Sequence, residues 1–99
     1  MRLRLAGPAD RAAVRALFER RGVAADDLEL QRLLAFDPAR RHVLAALAPI
    51  EGQDTLVGIG AIGNGADAPD TLVVDERLPA LADVLGRVLT ERARSRRVA

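Results

Sequence analysis

The sequence predicts one domain of mixed composition, α/β in the broad sense and α+β in the strict one, with a mainly antiparallel four-stranded sheet and helices packed on it. The first observation is the length of 99 residues, which suits a single domain over residues 1–99. The second is a composition of 49% hydrophobic and 29% charged residues, which is typical of a globular protein. The third is the pattern order β-α-α-β-β-β-α, because neighbouring strands joined by short loops favour antiparallel pairing.

The first strand and helix are predicted within "RLRLAGPADRAAVRALFERRG". Residues 2–6 alternate basic and apolar side chains, which indicates a half-buried strand, and a Gly-Pro pair stops it. In the segment that follows, Val14, Leu17 and Phe18 recur at helical spacing and predict the buried face of a helix. Gly22 is placed to end this helix as its C-cap.

A second helix is predicted within "AADDLELQRLLAFDPARR". Asp26 or Asp27 can cap its start, since both have side chains that accept from free amides of the first turn. Pro38 closes it, because the residue before a proline avoids the helical region. Its apolar stripe consists of Leu30, Leu33 and Leu34, with Phe36 near the end.

Three strands are predicted next, at residues 41–49, 55–63 and 71–76, separated by the hairpin loop "IEGQD" and the loop "NGADAPD". The glycines of "TLVGIGAIG" allow close approach of another element or a bulge. The last helix runs from Pro79 to about Arg97. Its apolar stripe comprises Leu81, Leu85, Val88 and Leu89, with Ala82 and Ala93 on the flanks.

Three segments in this order resemble the first half of the Gcn5-related N-acetyltransferase (GNAT) family. "RLRLAGPADRAAVRALFER" is similar to its first strand and helix, with the opening pattern R-x-A-x-P-x-D. "RRHVLAALAPIEGQDTLVGIGAIG" is similar to its second and third strands, with the pattern L-V-G-x-G. "DTLVVDERLPALADVLGRVLTERARSRRVA" is similar to its fourth strand and third helix. The likeness is strongest to the bacterial protein-acetyltransferase branch, and it implies a GNAT domain truncated before the fifth strand.

In that family the fourth strand leads into a loop of pattern Gln/Arg-x-x-Gly-x-Gly/Ala, whose amides hold the acetyl-CoA pyrophosphate at a helix N-terminus. When residues 81–86 are aligned on this pattern, only Gly86 agrees. Leu81 replaces Gln/Arg, Val84 replaces the first glycine, and Asp83 adds a negative charge beside the expected diphosphate. These departures from the family pattern predict that no cofactor is bound. By position alone, the residues that would contact one are Val74, Asp75, Gly86 and Arg87.

No catalytic residue and no metal site is predicted. His42 is expected at the surface or sheet edge and not as a base, since no partner or pocket is evident from the sequence. Asp75 and Glu76 follow a strand where the family can place a general base, but a solvated strand end is the favoured interpretation. The acidic residues 26–29 suit a capped helix start, because neighbouring carboxylates on a helix point in different directions. The family often uses a tyrosine as the general acid that protonates the leaving thiolate. This chain has no Tyr, so that role has no counterpart here.

Composition excludes further classes of function. The chain has no cysteine, which removes disulfides, thiolate nucleophiles and Cys-ligated metals and fits a cytoplasmic location. No apolar run approaches the ~18 residues of a membrane span. Net charge is +1, and the basic tail "ERARSRR" has no aromatic platform, so nucleic-acid binding is not favoured.

Two functions of different class remain. The first is a degenerate GNAT-like domain without the pyrophosphate loop, acting as a non-catalytic module for protein interaction, dimerisation or regulation. It would form a homodimer or bind a partner protein through the edge strand Thr71–Glu76 or the adjacent helix, because an apolar edge invites strand pairing. In this interpretation Leu81, Val84 and Leu85 are packing residues of a helix begun by Pro79. The second is an acetyl-CoA-dependent N-acetyltransferase, or half of one completed by a second chain.

Overall fold

A computed structural model describes residues 1–35, 37 and 39–98, and for residues 96–98 it describes the helical backbone alone. Four strands and three α-helices follow the predicted order, and a short 3-10 helix, Pro8–Asp10, precedes the first α-helix. The elements are β1 (Arg2–Leu5), α1 (Arg11–Arg21), α2 (Asp27–Leu33), β2 (Arg41–Ile50), β3 (Gln53–Gly63), β4 (Thr71–Val74) and α3 (Leu81–Val98).

The strands form one sheet in the order β1-β2-β3-β4, and every neighbouring pair is antiparallel. The predicted four-stranded antiparallel sheet with helices packed on it is confirmed. One bulge interrupts it: Ala46 pairs with Gly58 but Leu47 pairs with Leu56, so Val57 is the extra residue on β3. The order leaves β1 and β4 as the two edges of this sheet.

Helices cover both faces of the sheet. Along β2, Val43 and Ala45 face α1 and α2, while Leu44 and Ala46 face α3, as the two-residue period of a strand requires. A strand covered on both sides needs apolar residues at successive positions, which explains the run "VLAAL" in β2. The prediction that His42 lies at the surface or sheet edge was wrong: it lies within β2 and is 6% exposed, because this strand is inside the sheet and covered on both faces.

Two glycines of β3 provide the surface on which α3 rests. A Cβ at Gly60 would lie 2.6 Å from Leu89 Cδ1, and a Cβ at Gly58 would lie 3.0 Å from Leu81 Cδ2. Both leucines, at the start and the middle of α3, are buried, so the first half of the helix cannot draw back without opening the core. The predicted close approach at these glycines is confirmed.

The ends of the first two helices follow the predicted signals. Gly22 ends α1 with a left-handed backbone (φ 68°), a conformation that favours glycine. Asp26 caps α2, because its carboxylate accepts from the backbone N–H of Glu29 at 2.8 Å. The apolar faces are buried as predicted: Val14, Leu17 and Phe18 on α1, and Leu30, Leu33 and Leu34 at α2.

Some boundaries differ from the prediction. The β2–β3 connection is a two-residue turn, with positive φ at Glu51 (51°) and Gly52 (82°), so both strands extend further into the predicted loop. At the end of α2 the backbone leaves the helical region at Leu34, whose side chain is buried in the core. The predicted helix end at Pro38, with Phe36 before it, lies outside the described residues.

An ion pair closes the corner between β1 and α1. Arg4 donates from both terminal nitrogens to the two oxygens of Asp10, at 2.6 and 2.9 Å, and the Gly7 amide donates to the same carboxylate at 2.9 Å. The hydrogen bonds from Arg4 lower the pKa of Asp10 below its ordinary value. The R-x-A-x-P-x-D pattern thus has a structural task here: its first and last residues fasten the first helix to the sheet.

Candidate functional site

The outer side of β4 carries backbone groups that point away from the sheet. The N–H of Asp75 donates to the Val57 carbonyl at 2.7 Å, which fixes which backbone groups of β4 face β3. By the alternation of an antiparallel ladder, Leu72 and Val74 turn their N–H and C=O outward. Within the described part of the chain no strand lies beyond β4. Such a row of outward groups is a template for a further strand.

The two edges of the sheet differ in their side chains. The segment "TLVV" of β4 carries no charge, and its Leu72 is 39% exposed. On the opposite edge, β1 carries Arg2 and Arg4, both exposed. Charged side chains on an edge strand oppose pairing with another chain, whereas a short apolar stretch permits it. Of the two edges, β4 is therefore the one suited to strand addition.

A groove flanks β4 on each face of the sheet, and Leu72 lines both. The α2 groove, of about 510 Å³, lies between β4 and α2, and Arg41 and Asp70 pair across it at 3.1 Å. The α3 groove, of about 410 Å³, lies between α3 and residues 67–69. The charged residues that line the α3 groove from the helix are Asp83, Arg87, Glu91 and Arg94. Space for added side chains thus exists on both faces of the edge.

The four positions that would contact a cofactor do not form one site. Gly86 and Arg87 line the α3 groove, and a Cβ at Gly86 would lie 3.8 Å from Leu72 Cδ2. Val74 packs into the apolar clusters beneath α3. Asp75 belongs to a separate cluster of charges where β4 ends. The structure therefore brings Gly86 and Arg87 to the sheet edge and leaves Asp75 apart from them.

Asp75 is a buried carboxylate at the centre of an ionic cluster whose two arginines, Arg77 and Arg20, are partly exposed. Arg77 donates to its two carboxylate oxygens through Nε and a terminal nitrogen, at 2.9 and 2.7 Å, and the Arg77 amide donates at 3.0 Å. Nε of Arg20, from the end of α1, lies 3.7 Å away. The Arg77 side chain first, then its amide, lowers the pKa of Asp75 strongly, and the charge of Arg20 adds to this.

This cluster corrects the expectation of a solvated strand end. Asp75 is 3% exposed, whereas its neighbour Glu76 is exposed and lies 3.6 Å from Arg21. The carboxylate remains charged while buried because a bidentate arginine satisfies it. The Asp-x-Arg spacing in "DER" was the one signal in the sequence that could have indicated this pair.

Four of the amides that follow β4 donate to acceptors within the protein. In the family that the sequence resembles, amides of this loop hold a diphosphate, whereas here four turn or cap bonds use them. Leu81, at the Gln/Arg position of the family pattern, is 4% exposed and packs between α3 and the sheet. The bonds run from Arg77 N to Asp75 Oδ1 (3.0 Å), Leu78 N to Asp75 O (3.0 Å), Leu81 N to Leu78 O (3.0 Å) and Ala82 N to Pro79 O (3.3 Å).

The start of α3 departs from the prediction in two respects. The helix begins at Leu81, two residues after Pro79, because turn bonds occupy the intervening residues. Val84 was expected to be a packing residue, but it is 39% exposed. Leu81, Leu85 and Leu89 occupy the side of the helix that faces the sheet, and Val84 lies away from it.

Further findings concern metal ligands, membrane spans and known proteins. Among the residues the structure describes, no three histidine, cysteine or acidic side chains gather as metal ligands would. None of the described helices combines the length and the apolar character needed to cross a bilayer. Comparisons of the chain with protein-family models, curated proteins and solved structures found no match.

Proposed function

We propose that this chain is a GNAT-like module without catalytic activity that binds another polypeptide by pairing a strand with β4. The observation that carries the proposal is the uncharged, outward-facing edge of β4, flanked by grooves on both faces. Main-chain hydrogen bonds from Leu72 and Val74 supply attraction, and alternate side chains of the added strand enter the two grooves. The contrast with the arginine-bearing β1 edge favours this side of the sheet.

The order and antiparallel pairing of the elements support the GNAT-like part of the proposal. The chain runs strand, two helices, three strands and a helix, which is the order that the resemblance implies for the first half of a GNAT domain. In that family a fifth strand follows the fourth and splays from it. The outer side of β4 is therefore where, by this resemblance, a further strand is expected, and we assign that place to a second polypeptide.

The junction between β4 and α3 favours protein binding over acetyl transfer. The amides of Arg77, Leu78 and Leu81 already donate to protein acceptors, so they are not directed at a diphosphate. Asp83 in the first turn of α3 adds a negative charge. Two like charges about 4 Å apart repel by about 1 kcal/mol in water, and by more where water is partly excluded.

Lysine in place of Leu72 should weaken strand pairing strongly, because a charge on the edge opposes an added strand. The test is photo-crosslinking in the protein's own host cells, with the reactive residue at the exposed Ala68 beside the edge. We expect crosslinked products in the otherwise unchanged chain and a loss of about tenfold or more with Leu72→Lys. The products are identified by mass spectrometry.

Leu28→Lys is the matched control, because Leu28 is a 53% exposed leucine on α2, away from β4. It should leave the products unchanged, and circular dichroism should show both variants folded. Products that persist in Leu72→Lys, or that fall equally in Leu28→Lys, would refute pairing at this edge.

Acetyl-CoA should leave the melting temperature of the chain unchanged. A ligand at 100 times its Kd stabilises a protein by about 2.7 kcal/mol, which in a domain of this size raises Tm by roughly 10 °C or more. Differential scanning fluorimetry with acetyl-CoA and, as a control, coenzyme A measures this directly. A saturable rise in Tm would instead favour the acetyltransferase or a half of one.

A further inference from the structure

The α3 groove is lined by a row of charges that alternate in sign. Asp83, Arg87, Glu91 and Arg94 follow one another at intervals of four, four and three residues, so they lie on one face of the helix. None of the four takes part in an ion pair within the described part of the chain. This row lies beside Leu72 of the open edge.

The order of the signs makes the row complementary to itself in one arrangement. When a second copy of α3 runs antiparallel, Asp83 faces Arg94 of the second copy and Arg87 faces Glu91 of the second copy. A two-fold axis repeats both contacts in reverse, as in any isologous interface. A parallel copy would instead set each charge against its own kind.

Antiparallel pairing of β4 with β4 of a second copy requires the same two-fold axis. In the register that centres the pairing on Leu72, the axis passes beside this residue, which pairs with Gly60 in the sheet. Leu89 of α3 lies directly over Gly60, so the middle of the charged row, between Arg87 and Glu91, is at the level of that axis. In this register, one two-fold axis relates both the paired edge strands and the two charged rows of α3.

The spacing between the helices fits side-chain ion pairs. Because α3 packs mainly over β3, the axes of two α3 helices related by this two-fold lie about three strand spacings, or roughly 14 Å, apart. That separation is too wide for direct helix packing at 8–10 Å. It is suited to arginine and carboxylate side chains that extend towards each other from the two α3 helices.

We infer that the polypeptide which pairs with β4 is a second copy of this chain, an inference that rests on the proposed strand-pairing function. The two sheets join at β4 into one antiparallel sheet of eight strands, twice the four of a single copy. The charged rows of the two α3 helices face each other across the two-fold and set the register. Electrostatic complementarity of this kind selects the partner and its orientation.

Charge reversal tests the inference by analytical ultracentrifugation at low salt. Arg87→Glu places two carboxylates opposite each other across the two-fold, and Glu91→Arg places two guanidinium groups there, so each should weaken self-association by about tenfold or more. An equimolar mixture of the two variants should regain wild-type affinity, since every contact between unlike copies is then between opposite charges. Intrahelical repulsion cannot be relieved by mixing, which separates the two explanations.

The matched controls are Arg11→Glu and Glu19→Arg on α1, both exposed residues away from the α3 groove. They change net charge equally and should leave self-association intact. The inference is overturned if the wild type remains monomeric at high concentration, if mixing restores nothing, or if the controls weaken association as much. Crosslinks from Ala68 that depend on Leu72 but lead to a different protein would retain the proposed function and exclude the second copy.

Discussion

Valine in place of Gly60 is expected to lower the free energy of unfolding by about 3 kcal/mol, the upper range for forcing extra atoms into a packed core. Its Cβ would lie 2.6 Å from Leu89 Cδ1 and 3.3 Å from Leu85 Cδ2. Both leucines are fully buried, so relief requires their side chains to leave their packed positions or α3 to move off the sheet. Urea unfolding followed by circular dichroism measures the change.

Shortening the contacting side chain provides the decisive control. Leu89→Ala alone should cost about 2–5 kcal/mol, because it leaves a cavity. Combined with Gly60→Val, it should cost less than the sum of the two single changes, since the new methyl groups fill part of that cavity. Gly63→Val, where no atom lies within 4 Å of the added Cβ, should have little effect. Additive losses, or an equal loss at Gly63, would show that α3 does not rest on Gly60.

Asparagine in place of Asp75 is expected to lower the free energy of unfolding by about 2 kcal/mol at pH 7, the typical contribution of hydrogen bonds to a charged group. The substitution keeps the shape of the side chain but removes the charge that Arg77 and Arg20 surround. Glu76→Gln is the matched control, because its carboxylate is exposed, and a surface change of this kind stays within about 0.5 kcal/mol.

The effect of Asp75→Asn should also depend on pH. Hydrogen bonds from Arg77 lower the pKa of folded Asp75 below the unfolded value of about 3.9. Its stabilisation is therefore complete above about pH 4 and is lost as the pH falls towards the folded pKa. Asp10, whose pKa Arg4 also lowers, titrates in both proteins and cancels in the comparison. The stability difference between wild type and variant should shrink below pH 4; a difference that stays constant would contradict the ionic cluster.

Local signals in the sequence predicted the local structure well. Gly22 ends α1 and Asp26 begins α2 because each acts on amides or carbonyls within a few residues of itself. The spacing of apolar residues predicted which faces of the helices are buried, and short loops between strands predicted an antiparallel sheet. These features depend on interactions along the chain, which the sequence displays directly.

The candidate site was predictable only in part. The sequence indicated Thr71–Glu76 as an apolar edge, and β4 is an edge in the structure, although the strand ends at Val74. It did not indicate that Asp75 is buried, because Arg20 reaches it from a distant helix. It also misplaced His42 and Val84, since the burial of each depends on which elements cover that strand or helix face.

The order of the elements, their capping residues and the apolar character of the β4 edge follow from the amino-acid sequence alone, because propensity and periodicity act over a few neighbouring residues. The folded arrangement was needed to establish that α3 rests on Gly58 and Gly60 and that its charged row borders the open edge. It was also needed to establish that Asp75 is enclosed between Arg77 and Arg20. These features depend on contacts between residues far apart in the chain, whose distance and burial are set only when the sheet and helices assemble.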